Sequence, residues 1–231
     1  MLEVYALQVP DKLSHQTFLM LLNCVSNEKR ERIKRFKRKE DTYRTLMADI
    51  LIRSIILTKY GVSNQEITFI YNSYGKPFLS WDSSFSFNVS HSGKWVVAIV
   101  GQRQLVGIDI EEIQPIGMEI ARRFFAPEEY EDLKVKKEKG RLLYFYDLWT
   151  LKESYIKAIG CGLSIPLDSF VIQRRGLLGQ FAIRQNHSQK SFFFRQYDID
   201  AVYKLSTCAT IDTFPESVSV CDISKLCNQL L

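Results

Sequence analysis

The spacing of apolar positions changes several times along the chain, and each change marks an element. "LEVYALQV" alternates and is rich in β-formers, which predicts a first strand. "SHQTFLMLLNCV" has helical spacing, with Ser14 as its N-cap. A second helix start stands at Ser26, ahead of a strongly basic stretch. "TLMADILIRSIILTKYG" then repeats apolar residues at helical spacing and stops at Gly61, a C-terminal cap glycine. "EITFIYN" reads as a strand, "SYGKPFL" as a loop punctuated by Gly-Lys-Pro, and "SFSFNVSHS" as a strand ending in a polar tip. "WVVAIVG" and "LVGIDIE" follow as two strands joined by a short turn. "GMEIARRFFAPEEYEDLKVKKEKG" predicts two helical pieces broken at Pro127, and "RLLYFYDLWTLKESYIKAIG" a long helix ending at Gly160. "SFVIQRR", "QFAIRQ", "SFFFRQYDI" and "YKLSTCAT" predict four strands with polar turns, and "SKLCNQLL" a closing helix.

The order repeats in outline. A long helix ending in Gly is followed by several strands, twice, which suggests two α+β halves divided near Gln102 to Leu105. Clefts between such halves are common ligand sites.

Composition narrows the class. The chain has 231 residues, 46% hydrophobic and 25% charged, a globular profile with enough apolar material for a sizeable core. The net charge of +5 suits an anionic partner without saying which. No apolar run approaches the roughly 20 residues that cross a bilayer, and the N-terminus lacks the pattern of a secretory signal. The five cysteines are scattered and form no metal-spaced pair, which predicts reduced thiols in a cytoplasmic protein.

Four stretches could carry chemistry. In "VGIDIEE" a strand would turn Asp109 and Glu111 to one face and Ile108 and Ile110 to the other. Side-by-side carboxylates repel unless a cation stands between them, and Mg²⁺ is such a cation; alone, the pair also describes an exposed strand edge. In "WTLKESYIKAIGCG" helical spacing puts Trp149, Glu153 and Lys157 on one face. Glu153 and Lys157 could be a surface pair, or a metal ligand or base beside a phosphate-binding cation. In "NVSHSGKW" Ser90 and His91 could hydrogen-bond an anionic oxygen or form an ordinary hairpin tip. From Lys29 to Lys39, eight of eleven residues are Lys or Arg: a solvated helix face, a nucleic-acid patch or a phosphate site. A non-catalytic nucleic-acid-binding protein using this run, and another Mg²⁺ enzyme on a nucleotide-like substrate, are the rival readings.

Together these stretches resemble one family, the 4′-phosphopantetheinyl transferases, in particular the type that activates surfactin synthetase in Bacillus. The resemblance rests on "GIDIE" (Gly107 to Glu111) followed by "WTLKESYIK" (Trp149 to Lys157), with "EKRERIKRF", "KEDTYRTL", "YGKP", "FNVSHSG", "RRFFAPEEY" and "GLSIPLDSF" as supporting blocks. It covers most of the chain and is weakest in the tail. It implies an α+β fold of two similar α/β halves, 1–104 and 105–231, related by a pseudo-twofold with the active site between them. It implies transfer of the phosphopantetheine arm of coenzyme A to a serine of an apo acyl or peptidyl carrier protein, releasing adenosine 3′,5′-bisphosphate. By the same resemblance Asp109, Glu111 and Glu153 hold Mg²⁺, and Glu153 is a base whose place a metal-bound water could take. Lys157 and His91 neutralise the phosphate under attack, and Ser90 binds the same ligand. Lys29, Arg32, Arg44 and Thr45 fall where the 3′-phosphate is held, Lys76 beside the adenine, and Glu129 near the metal's water shell. Arg32 stands where Lys is more usual, and Asn27 where Pro is frequent; neither removes the cation or the turn. The resemblance further implies a cytoplasmic monomer that uses neither nucleic acid nor membrane.

Overall fold

A computed structural model describes residues 1–175 and 180–230. In chain order the strands and helices are β1 (Glu3–Gln8), α1 (His15–Asn23), α2 (Asn27–Lys34), α3 (Lys39–Tyr60), β2 (Phe69–Tyr71), β3 (Pro77–Leu79), β4 (Phe85–Ser92) and β5 (Trp95–Gln102). They continue as β6 (Val106–Glu112), α4 (Met118–Phe124), α5 (Pro127–Lys134), α6 (Glu138–Ile159), β7 (Val171–Arg175), β8 (Gln180–Arg184), β9 (Phe193–Tyr197), β10 (Tyr203–Ala209), β11 (Ser219–Cys221) and α7 (Ile223–Leu230). Most of the elements expected from the pattern form where expected. Ser14 and Ser26 cap α1 and α2 through their side chains, and Pro127 opens α5 at a position where its missing N–H costs nothing. The expected loop "SYGKPFL" differs: Pro77–Leu79 pairs with β2 as β3, because Pro77 sits at the strand's first position, where no ladder donor is needed. The turn expected between β7 and β8, residues 176–179, lies outside the described residues.

The two halves share one connectivity. In the first, β1 pairs antiparallel with β5, which pairs with β4; in the second, β6 pairs antiparallel with β10, which pairs with β9. Each half has a separate two-stranded ribbon, β2–β3 or β7–β8. Each has one 22-residue helix, α3 or α6, closed by a left-handed glycine: Gly61 at φ 65° and Gly160 at φ 82°. The long helices also share a buried cation. Arg53 precedes Gly61 by the same interval as Lys152 precedes Gly160. Arg53 bonds Asp49 Oδ1 at 2.5 Å and Ile67 O at 3.1 Å, and its guanidinium lies 5.3 Å from the Phe69 ring. Lys152 Nζ bonds Glu129 Oε2 at 2.7 Å and Leu167 O at 2.8 Å, and lies 4.2 Å from the Phe170 ring. In each half one charge ties the helix to the segment that follows it.

The continuous apolar run of β5 reflects two buried faces. Val96, Ala98 and Val100 pack towards α3, while Trp95, Val97 and Ile99 meet Ile108, Ile110 and Leu205 of the second sheet. The tail departs from a simple division at 104 and 105. β11 returns to pair in parallel with β1, and α7 buries Leu226 and Leu230 in the first half's core. In α3, Ser54 stands where α6 has Glu153, and its hydroxyl bonds Gln229 of α7.

Between the sheets, side chains from alternate residues of β4 meet β6. Asn88 Oδ1 accepts from Ile108 N at 3.0 Å, Ser90 Oγ donates to Asp109 Oδ1 at 3.0 Å, and Ser92 Oγ donates to Glu111 Oε2 at 2.8 Å.

Candidate active site

β6 supplies the site's carboxylates by its pleat. Ile108 and Ile110 enter the core between the sheets, which turns Gly107, Asp109 and Glu111 towards α6. Gly107 explains the close approach. A Cβ there would lie 1.9 Å from Ser154 O and 2.5 Å from Ala158 N, so only glycine lets α6 rest on the strand. That contact brings the helix face of Glu153 and Lys157 beside Asp109.

Helical spacing predicts a Glu153–Lys157 pair, and the structure corrects it. Lys157 Nζ reaches across to Asp109 Oδ1 at 2.6 Å and to Ser90 Oγ at 2.8 Å. A buried carboxylate needs a counter-charge more than the half-buried Glu153 does. Asp109 is 2% exposed, and its second oxygen, Oδ2, is buried without a hydrogen-bond partner. Burial pushes the Asp109 carboxyl above its usual range, and the Lys157 ammonium pulls it back. Burial also raises Glu111 to about 7, helped by the charge of Asp109 and opposed by the Ser92 hydrogen bond. Glu153 is raised by burial and by Asp109. Three acids are thus held at a cost that a hard cation would relieve. Among the described residues no group of three or more His, Cys, Asp or Glu side chains is drawn together closely enough to hold a metal ion by itself. The donor set nevertheless suits Mg²⁺, which needs only one or two carboxylates and takes water and phosphate oxygens for the rest. A cation there would give the orphaned Asp109 Oδ2 a partner.

On the other side of β4 lies a charged cavity of about 740 Å³. Lys29, Arg32 and Arg35 line it with the carboxylates Glu28, Glu31 and Asp49, together with Tyr71 and His91. Three cations of the basic run therefore share one helix face, while Lys34 pairs with Glu31 at 2.8 Å in solvent. Lys29 Nζ lies 3.8 Å from Asp49 Oδ2, and burial lowers its pKa. His91 opens to the cavity mouth, but the protein behind it desolvates the ring and holds its pKa below the usual value, with Lys157, Arg44 and Lys29 adding repulsion. Strand alternation separates the two residues expected on one ligand: His91 faces the cavity, and Ser90 is buried against Asp109.

Other expected residues lie elsewhere. Arg44 bonds Gly93 O at 3.0 Å and Asp41 Oδ1 at 2.5 Å, in a separate recess of about 500 Å³ with Lys94 and Tyr203. Thr45 is buried in α3. The Lys76 ammonium turns away from the cavity beside β4 onto backbone carbonyls, while its neighbours Gly75 and Pro77 line it. Both Glu129 carboxylate oxygens are taken within the protein: they bond Lys152 at 2.7 Å, Ala126 N at 3.0 Å and Ile172 N at 2.8 Å, and so brace α5, α6 and β7. Trp149 packs between Phe124 and Phe145, with ring centroids 5.9 and 5.7 Å away, and holds the helix face in place. The sequence reading did not single out Arg35, Tyr71 or Ser92. Arg35 was visible within the basic run; Tyr71 and Ser92 carried no signal of their own.

The chain is also similar to known proteins. Residues 12–103 match the family profile described as 4′-phosphopantetheinyl transferase, N-terminal, and residues 105–208 match the 4′-phosphopantetheinyl transferase superfamily. The chain is 40% identical over 225 residues to the 4′-phosphopantetheinyl transferase Sfp of Bacillus subtilis strain 168, covering 97% of this chain and 100% of that protein. It is 35% identical over 232 residues to the 4′-phosphopantetheinyl transferase gsp of Aneurinibacillus migulanus, covering 100% of this chain and 96% of that one.

Proposed function

This chain belongs to the 4′-phosphopantetheinyl transferase superfamily and is an enzyme of the Sfp type, and from that premise we propose that it uses Mg²⁺ to move the phosphopantetheine arm of coenzyme A onto a carrier-protein serine. The carrier belongs to a peptide synthetase or a polyketide synthase, and adenosine 3′,5′-bisphosphate leaves. The observation that carries the reading is the placing of one strand, β4, between a cavity that gathers Lys29, Arg32 and Arg35 and a carboxylate cluster: His91 faces the first, and Ser90 and Ser92 bond the second.

In this reading the nucleotide end of coenzyme A lies against Lys29, Arg32 and Arg35, whose charges face its phosphates. Asp109, Glu111 and Glu153 would hold Mg²⁺, which when bound supplies charge for the pyrophosphate oxygens. The carrier serine oxygen forms a bond to the phosphorus bearing the pantetheine arm. The bond from that phosphorus to the bridging oxygen breaks, and the nucleotide departs with the electron pair. The serine proton passes to Glu153, the half-buried carboxylate on the α6 face beside Asp109. Lys157 and His91 offset the charge that develops on the phosphate under attack. Ser90 orients Lys157 through their 2.8 Å hydrogen bond rather than touching the ligand itself.

The nucleic-acid reading of the basic run is not favoured, since three of its cations are turned into a cavity rather than spread along an open face. The enzyme is proposed to work as a cytoplasmic monomer; no described helix is long and apolar enough to cross a membrane. The test is intact-mass measurement on a panel of apo carriers given coenzyme A and Mg²⁺. A gain of one phosphopantetheine on a synthetase or synthase carrier is expected, and no gain on any carrier would sink the reading. Asp109→Asn should abolish the gain while the protein stays folded. Asn is a better probe than Ala, because Asp109 is buried and truncation would leave a cavity.

A further inference from the structure

The turn between β2 and β3 caps a helix that belongs to the other half. Asn72 Oδ1 accepts from Tyr74 N at 3.0 Å and from Lys76 N at 2.9 Å, and Gly75 adopts φ 82°, so the turn is internally fixed. Its two outward side chains then reach the C-terminal end of α6. Lys76 Nζ donates to Lys157 O at 2.7 Å, Ala158 O at 2.9 Å and Val106 O at 3.2 Å. Asn72 Nδ2 donates to Gly160 O at 2.8 Å. The last carbonyls of a helix have no partner within it and carry its negative end, so an ammonium here meets both needs. The fit is close: a Cβ on Gly160 would lie 2.6 Å from Lys76 Cδ.

We propose that Lys76 is a positioning residue for the transfer reaction. It fixes the last turn of α6, and with it the stance of Lys157 towards Asp109, and it ties both to the turn whose Gly75 and Pro77 wall the cavity beside β4. Its backbone neighbours face the ligand, and its side chain acts on the helix. A nucleotide seated in the cavity therefore steadies α6 through the turn. This rests on the proposed transferase reading for its consequence in catalysis, but the latch itself is a property of the free protein.

The experiment uses Lys76→Met and Lys76→Arg in the full chain, with hydrogen exchange followed without substrate and with saturating coenzyme A. Lys76→Met is expected to speed amide exchange across Lys157 to Gly160, and coenzyme A to slow that exchange in the wild type but not in the variant. With an apo carrier that the wild type modifies, kcat should fall by roughly tenfold or more, as a misplaced reacting group demands, while KM for coenzyme A stays near the wild-type value. Lys76→Arg, which keeps a buried donor charge, should recover most of kcat. A KM that rises with kcat retained would make Lys76 a ligand contact and overturn the proposal, as would unchanged exchange in α6. A wild type that modifies no carrier would remove the transferase reading, while the exchange measurement still decides the latch. If Lys76→Met does not fold, Asn72→Ala, which removes the bond to Gly160 O together with the two that fix the turn, should show the same exchange change; no change would overturn the proposal.

Discussion

Lys157 Nζ stands 2.6 Å from Asp109 Oδ1, so the helix cation of the second half is the counter-charge of a carboxylate 2% exposed to solvent. Lys157→Met leaves that carboxylate buried and unpaired, and should cost about 3 kcal/mol of stability. Adding Asp109→Asn should return most of the loss, because no charge is then left without a partner. Urea unfolding of both single variants and the double variant measures the coupling. Simple additivity would show that the pair contributes nothing.

Gly107→Ala should be severe although it adds one methyl group. The new Cβ would meet backbone atoms of Ser154 and Ala158, which can move only if α6 lifts from β6. A loss of about 3 kcal/mol is expected from overpacking of this kind, together with lower transfer activity at temperatures where the variant is still folded. A thermal midpoint equal to the wild type would contradict the close contact.

His91 gives a pH dependence of defined sign. Its folded pKa lies below the ordinary 6.5, so above 6.5 the ring is neutral in both the folded and unfolded chains and stability does not change on its account. Below 6.5 the unfolded chain takes up a proton that the folded chain resists, so stability falls with falling pH. His91→Gln should flatten this part of the profile. A bound polyanion should raise the His91 pKa, so an NMR titration should move up on adding coenzyme A; a downward move would exclude the ring from the phosphate.

Glu111 has the opposite sense. Its folded pKa is raised from 4.5 to about 7, so the stability it contributes is present below 4.5 and is lost as pH rises through about 7. A divalent cation bound at the cluster would restore that loss. Mg²⁺ should therefore raise the thermal midpoint more at pH 8 than at pH 5, and Glu111→Gln should shrink the difference. Equal shifts at both pH values would argue against Glu111 as a ligand.

The sequence carries the local parts of this site well. Period-two alternation in "VGIDIEE" puts both carboxylates on one face, and Ser26, Gly61 and Gly160 mark helix ends by their own chemistry. It fails where the partner lies far along the chain. The spacing of Glu153 and Lys157 allows a pair, but only the fold shows that Asp109 competes for the lysine and wins by its burial. Lys76 and Glu129 read as site residues because of neighbouring motifs. Their side chains are taken by Lys157 O and by Lys152, contacts that no local pattern encodes. β11 was missed for the same reason: three residues become a strand because β1 has an open edge to receive them.

The shared connectivity of the halves has a consequence for stoichiometry. Arg53 and Lys152 mark matching places in α3 and α6, but the residue after Lys152 is Glu153, and the residue after Arg53 is Ser54, whose hydroxyl is taken by Gln229 of the closing helix. Where a second carboxylate site would stand by symmetry, the chain has put a short hydroxyl and covered it with its own tail. With near-duplicate scaffolds but one such carboxylate cluster among the described residues, a calorimetric titration with coenzyme A is expected to saturate at one equivalent per chain.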